Sequence, residues 1–335
     1  MYSYPLGEDW TCRGIVPLQI GVGLFFIGVF AAIYHPVGLA IVTMKWNNIG
    51  MRIAVNGVWG NLGVACAALF TGYLIDNNSW RAAFVLPGVF SIVVGVIYLV
   101  LRREGIKTAH AAPKAQLDVS GQIQPPSHRK MLVRVYGIVF LTTAVSSVVF
   151  QSTTFALPKI FAERLTGLVE RLGEAILSDT ATIVGSLAFV IFAVASLAQL
   201  VVGKALDVYG PRRVFMAVAI IEVVFFSAMP GLTDGHAFAV ALGFMLGAFG
   251  QFPINDFMIG KMASGAARAR IYGVRYVVSF TALAASLPFI AFIYDNWGFD
   301  ILFIVLAGAA LVILVAASCL PKRLPTSERQ SISAE

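Results

Sequence analysis

Polar side chains recurring at helical spacing inside apolar sequence are the positions where this chain could do chemistry. Thr143, Ser147, Gln151 and Thr154 are four, four and three residues apart, so a helix through them carries all four on one face. Gly243, Gly247, Gln251 and Asn255 recur every four residues, and Pro253 removes a backbone donor among them. Glu222, Asp256, Arg275 and His35 lie in comparable apolar runs or at their edges. Such groups are costly in hydrocarbon and by default turn toward a bundle interior, where they line a path for a solute or ion. Interhelical hydrogen bonding uses the same residue types, and the glycines suit helix packing on either reading.

The ionisable members have distinct candidate roles. Glu222 lies nine residues after Arg213, about 14 Å along a helix at 1.5 Å per residue. That depth makes it a candidate for proton coupling. Asp256 and Arg275 fall near matching ends of consecutive apolar runs, so they are candidates for a gating ion pair or for a static loop anchor. His35, followed by Pro36, is open to three roles: substrate contact, proton carrier or structural hydrogen-bonder. Asn56 and Asn61 read as helix-packing donors.

Other chemistries find no support in the sequence. His35, His110, His128 and His236 are scattered, without the carboxylate partners that general acid–base catalysis needs. No G-x-x-x-x-G-K-[ST] phosphate loop occurs. Cys12, Cys66 and Cys319 are odd in number and far apart, with neither disulfide nor zinc spacing. The expectation is a chain that is not an enzyme and that takes no cofactor or metal.

The elements that must hold these residues are membrane helices. Hydrophobic residues make up 59% of the chain and charged residues 12%, against about 25% charged in a soluble domain. Mean hydropathy is +0.84. Nine apolar windows approach or exceed the roughly 20 residues that cross a bilayer. They are Gly14–Thr43, Ile53–Ile75, Ala82–Leu101, Val135–Pro158, Ala181–Gly203, Val214–Leu232, Ala237–Asn255, Tyr276–Tyr294 and Ile301–Leu320. The fold class is therefore all-α integral membrane, with about nine spans.

The net charge of +7 is topological rather than a nucleic-acid patch. With connections assigned to alternate sides, all of the 24 Lys and Arg except Arg13, Arg81, Lys159, Arg164 and Arg171 fall on one side. The positive-inside rule makes that side cytoplasmic. The C-terminus is then expected inside and the N-terminus outside, in a multi-pass protein of the cell membrane. The first thirteen residues carry Glu8, Asp9 and Arg13 and no basic stretch before an apolar one, so no cleavable signal is expected.

The polar stretch 102–134 holds Pro113, Pro125 and Pro126 and reads as a cytoplasmic linker. It divides a three-helix bundle, 1–101, from a six-helix bundle, 135–320, with a tail at 321–335. Leu165–Ile176 reads as a short amphipathic surface helix. Arg52-Ile-Ala-Val-Asn-Gly57-Val58, leading to Asp76-Asn77, is echoed by Arg268-Ala-Arg-Ile-Tyr-Gly273-Val274, leading to Asp295-Asn296. Duplicated halves of this kind are common among transporters.

Between two of the windows stands Gly203-Lys-Ala-Leu-Asp207-Val-Tyr-Gly210-Pro-Arg212-Arg213. Gly203 permits close helix approach and Gly210 a tight turn, while Asp207 can accept from Arg212, Arg213 or a neighbouring helix end. The segment resembles the G-x-x-x-D-x-x-G-x-R-R cytoplasmic loop of the major facilitator superfamily. Gly28-Val-Phe-Ala-Ala-Ile-Tyr-His35-Pro36, Asn56-Gly57-Val58-Trp59-Gly60-Asn61-Leu62-Gly63 and Trp80-Arg81-Ala-Ala-Phe84 resemble that family's fourth to sixth helices. The nearest subgroup in character is the fosmidomycin-resistance-like exporters.

The resemblance covers about Gly14 to Leu320 and implies a secondary transporter of two helical bundles lacking its first three helices. Transport of a small solute by alternating access is the implied activity, with proton coupling as an option. A truncated, non-transporting remnant is the alternative, and a polytopic membrane enzyme a remoter one. The windows bearing Thr143 and Gln251 become cavity-lining helices seven and ten; the one bearing Glu222 becomes the peripheral ninth. Two departures weaken the drug-antiport aspect. Apolar residues around Leu24 replace the fourth-helix arginine, and no proline follows Gly60 and Gly63. The implied partners are a small-molecule substrate and the lipid bilayer, with no nucleic acid and the oligomeric state open.

Overall fold

A computed structural model of the chain describes residues 10–43, 48–101, 126–176, 179–263, 265–322 and 324. Regular structure among these residues is entirely helical: α1 (Trp10–Val42), α2 (Ile49–Asn77), α3 (Ala82–Leu101), α4 (Pro126–Arg164), α5 (Thr166–Ile176), α6 (Thr180–Tyr209), α7 (Pro211–Ala228), α8 (Asp234–Met262) and α9 (Gly265–Ser318). Among the described residues six helices, α2, α3, α4, α6, α8 and α9, are long and apolar enough to cross a membrane. Each of the nine apolar windows is centred on one of the helices, the last two lying either side of a break in α9.

That break is Gly298, where φ is 74° and ψ is −172°. A side chain would resist this left-handed φ, so glycine lets the chain turn back and α9 form two arms. The turn is anchored by Asp300, which accepts from Arg164 at 2.7 Å and from the Gly231 backbone N–H at 3.0 Å. Pro87, Pro158, Pro253 and Pro288 lie inside helices, a tolerance typical of membrane segments whose neighbours satisfy the freed carbonyls.

α8 is the central strut, buried along most of its length and packed by α4, α6 and α7. α9 packs on α4 and α7, and α2 packs along α6. α3 buries no residue, so its whole circumference is a lipid-type surface. The amphipathic helix expected near Leu165–Ile176 is α5: Leu165 and Val169 are buried, and Glu170, Arg171 and Glu174 are exposed.

α4 begins at Pro126, so the end of the polar 102–134 stretch is helical, while 102–125 lies outside the described residues. The two echoed segments differ at their far ends. Asp76 binds the start of α6, whereas Asp295 is exposed.

Candidate functional site

The α2–α6 seam is built on small residues and closed at each end by a carboxylate. A Cβ on Gly203 would lie 2.5 Å from the Ala54 Cβ and 2.7 Å from the Gly50 carbonyl oxygen, so only glycine allows this approach. Gly185 meets the Ala68 carbonyl in the same way, at 2.6 Å from its would-be Cβ. Asp207, in the last turn of α6, accepts from the backbone N–H groups of Gly50 and Met51, each at 3.0 Å. These are unpaired donors of the first turn of α2, and the positive helix end favours an anion there.

At the other end Asp76 accepts from the backbone N–H and hydroxyl of Thr182, both at 2.6 Å. Of the partners open to Asp207, the neighbouring helix end is the one it takes. Among the described residues no ion pair joins it to Arg212 or Arg213. Gly210 has φ 79° and makes the tight turn between α6 and α7.

A small polar cavity lies between α4, α8 and α9, with a volume of about 20 Å³, room for about one water-sized group in this conformation. Thr143, Ser146 and Ser147 line it from α4, Ala248, Gln251, Phe252 and Asn255 from α8, and Arg275 from α9. Asn255 Oδ1 accepts from the Thr142 hydroxyl at 2.9 Å, and Ser147 hydrogen-bonds Ser279 of α9 at 2.7 Å. Thr143 Oγ1, Ser146 Oγ, Gln251 Oε1 and Arg275 Nε are buried and find no hydrogen-bond partner among the described residues. Leaving such a group unsatisfied costs about 1–3 kcal/mol.

Arg275 Nη1 stands 3.0 Å from Asp256 Oδ1. The distance makes an ion pair, although the alignment misses that of a hydrogen bond. Asp256 also offers its backbone carbonyl to the Tyr272 hydroxyl at 2.8 Å. Near the same end, Arg268 ties three chain segments together through the carbonyls of Thr43, Ala263 and Gly260, at 3.0, 3.0 and 3.4 Å. Its charge lies against carbonyls at the end of α8, where cations are favoured.

The cavity unites Thr143, Ser147, Gln251, Asn255 and Arg275 of the residues singled out from the sequence. Gln151 is half-buried and is not part of the lining, and Thr154 donates to the Phe150 carbonyl at 2.7 Å. Gly243 and Gly247 turn away from the cavity, against Phe225 and Glu222 of α7. Glu222 is fully buried and receives a hydrogen bond from the Gln251 side-chain amide.

His35 lies outside the cavity. Its ring packs against Tyr276 and Phe280, with centroids 5.0 and 5.6 Å away, beside a groove between α1 and α9. The sequence reading missed Ser146, Thr142 and Ser279. Two signals were present: Ser279 follows Arg275 by one helical turn, and Ser146 follows Thr142 by one.

A family model described as Major Facilitator Superfamily matches residues 15–178 and 139–335. Compared with curated proteins, the chain finds no match.

Proposed function

The chain belongs to the major facilitator superfamily, multi-pass membrane transporters of small solutes rather than enzymes, and on that premise we propose that its solute binds in the cavity between α4, α8 and α9. One observation carries this reading. Four buried polar atoms, on Thr143, Ser146, Gln251 and Arg275, converge there without partners among the described residues. A small polar solute supplies those partners, while Asn255 and Ser147, already held by Thr142 and Ser279, fix the geometry around it.

Bundles 1–101 and 135–320 rock against each other to expose the cavity to either side. The Asp207 contact with α2 and the Asp76 contact with α6 close opposite ends of the seam between them. Asp256–Arg275 is the ion pair beside the solute whose geometry changes as α8 and α9 move. His35 serves the α1–α9 groove as an aromatic contact. The distribution of Lys and Arg supports a cytoplasmic C-terminus.

The test is a thermal-shift screen of small polar solutes on the purified full chain, followed by counterflow in proteoliposomes. A solute that binds stabilises the wild-type chain by mass action. It is expected to lose that effect on Asn255→Leu and on Ser147→Val, and to exchange faster across wild-type proteoliposomes than across empty ones. Equal stabilisation of wild type and both variants would place binding elsewhere and overturn the assignment.

A further inference from the structure

Glu222 lies on α7, outside the cavity wall, yet it touches the cavity through one residue. Gln251 is 2% exposed, lines the cavity, and donates its amide Nε2–H to Glu222 Oε2. Its other end, Oε1, has no partner among the described residues. The close approach is built into the backbone: a Cβ on Gly247 would fall 2.5 Å from Glu222 Cγ, so α8 needs glycine to accommodate the carboxyl.

The charged groups of the helices packed on α7 are engaged elsewhere or exposed. Asp234 of α8 accepts from the Leu168 N–H and Lys261 lies over the Phe257 ring, while on α9 Arg268 binds carbonyls and Arg270 and Asp295 are exposed. On α8, Asp256 pairs with Arg275 of α9; on α6, Asp207 caps α2 and Lys204 is exposed; beyond the break in α9, Asp300 pairs with Arg164. Among the described residues no ion pair reaches Glu222. The amide of Gln251 is thus its polar neighbour, and the proton inventory of the pair follows from chemistry alone.

An ionised carboxylate only accepts hydrogen bonds, so it holds the NH₂ end of Gln251 and leaves Oε1 available to the cavity. A protonated Glu222 has an O–H that must donate, because an unpaired donor in this apolar setting is costly. Gln251 Oε1 is the acceptor at hand. Whether the amide makes a half-turn or tilts to form both bonds, Oε1 passes from the cavity to the acid.

We infer that Glu222 and Gln251 form a proton-operated switch in which a proton on Glu222 and a hydrogen-bond donor on the solute compete for Gln251 Oε1. With Glu222 ionised, the cavity presents an acceptor to a solute N–H or O–H. When Glu222 takes up a proton onto its carboxylate oxygen, that acceptor is withdrawn and the solute is released. Proton entry and solute exit are thereby opposed, as exchange across a membrane requires. The solute class is a small polar molecule with at least one N–H or O–H. This rests on reading the cavity as the solute site.

The switch itself can be tested without solute. Infrared difference spectra of the full chain in proteoliposomes are recorded across a pH titration in H₂O and D₂O. Wild type is expected to lose a protonated-carboxyl band as pH rises, and a glutamine side-chain band should move with the same midpoint. Glu222→Gln should abolish both changes. Glu222→Asp, one methylene shorter, should keep a titrating carboxyl and lose the amide response. Absence of a Glu222-dependent carboxyl band overturns the switch, as does a titrating carboxyl with a stationary amide band. Asn255→Leu separates the two claims: it should leave these spectra unchanged while removing the solute-induced thermal shift. Unchanged spectra with a retained shift would remove the solute site alone.

Discussion

The carboxylate of Asp207 lies 3.0 Å from the backbone nitrogen of Gly50, joining the last turn of α6 to the first turn of α2 across 157 residues of sequence. It is a helix cap supplied from another helix. Asp207→Ala strips both Gly50 and Met51 of their acceptor, and the loss of such a cap costs about 0.5–2 kcal/mol. Asp207→Asn keeps an acceptor oxygen and loses the charge. Thermal unfolding in detergent is expected to order the variants wild type, Asn, Ala. Equal unfolding of wild type and Ala would mean that the contact contributes nothing to the seam.

Glycine substitutions separate close approach from helix propensity. At Gly203 an added methyl meets Ala54 and the Gly50 carbonyl, so Gly203→Ala must push α2 and α6 apart. Overpacking of this kind costs about 1–3 kcal/mol. At Gly60 and Gly63 an added Cβ meets nothing within 4 Å, so alanine there gains the roughly 1 kcal/mol of helix propensity that glycine lacks. Unfolding midpoints should fall for Gly203→Ala and rise or hold for Gly60→Ala and Gly63→Ala.

These contrasts mark what the amino-acid order reveals. Period and hydropathy place the helices, because burial in lipid demands long apolar runs whatever the neighbours are. The same period groups Thr143 with Ser147. It cannot tell which neighbour a face will meet. Gly243 and Gly247 share a row with Gln251 yet face Phe225 and Glu222, since a glycine carries no side chain to signal its orientation. Ser146 lies one residue off the four-residue row, so the row does not mark it, yet it lines the cavity. The partner of Glu222 is 29 residues away on the next helix, a pairing that only the packing of α7 on α8 determines.

The proposed sidedness can be tested by labelling at exposed positions. A cysteine replacing exposed Lys204 is expected to react with a membrane-impermeant maleimide only after cells are opened, and one replacing exposed Glu170 to react in intact cells. The reverse pattern would invert the topology.

Asp256 and Arg275 offer the sharpest energetic test, because a buried ion pair punishes half-removal more than full removal. Both side chains are nearly inaccessible, at 7% and 5% exposure, and they meet at 3.0 Å. Arg275→Met leaves an uncompensated carboxylate and Asp256→Leu an uncompensated guanidinium, each costing about 3–5 kcal/mol. Replacing both removes two desolvated charges at once and is expected to recover most of that loss. A double-mutant cycle on unfolding midpoints should therefore be strongly non-additive, with the double variant more stable than either single one. Transport gives the second readout. Arg275 lines the cavity with its Nε unpartnered, so the double variant should remain folded and still fail to exchange solute. Full transport by that variant would leave the pair a static anchor and remove Arg275 from the solute site.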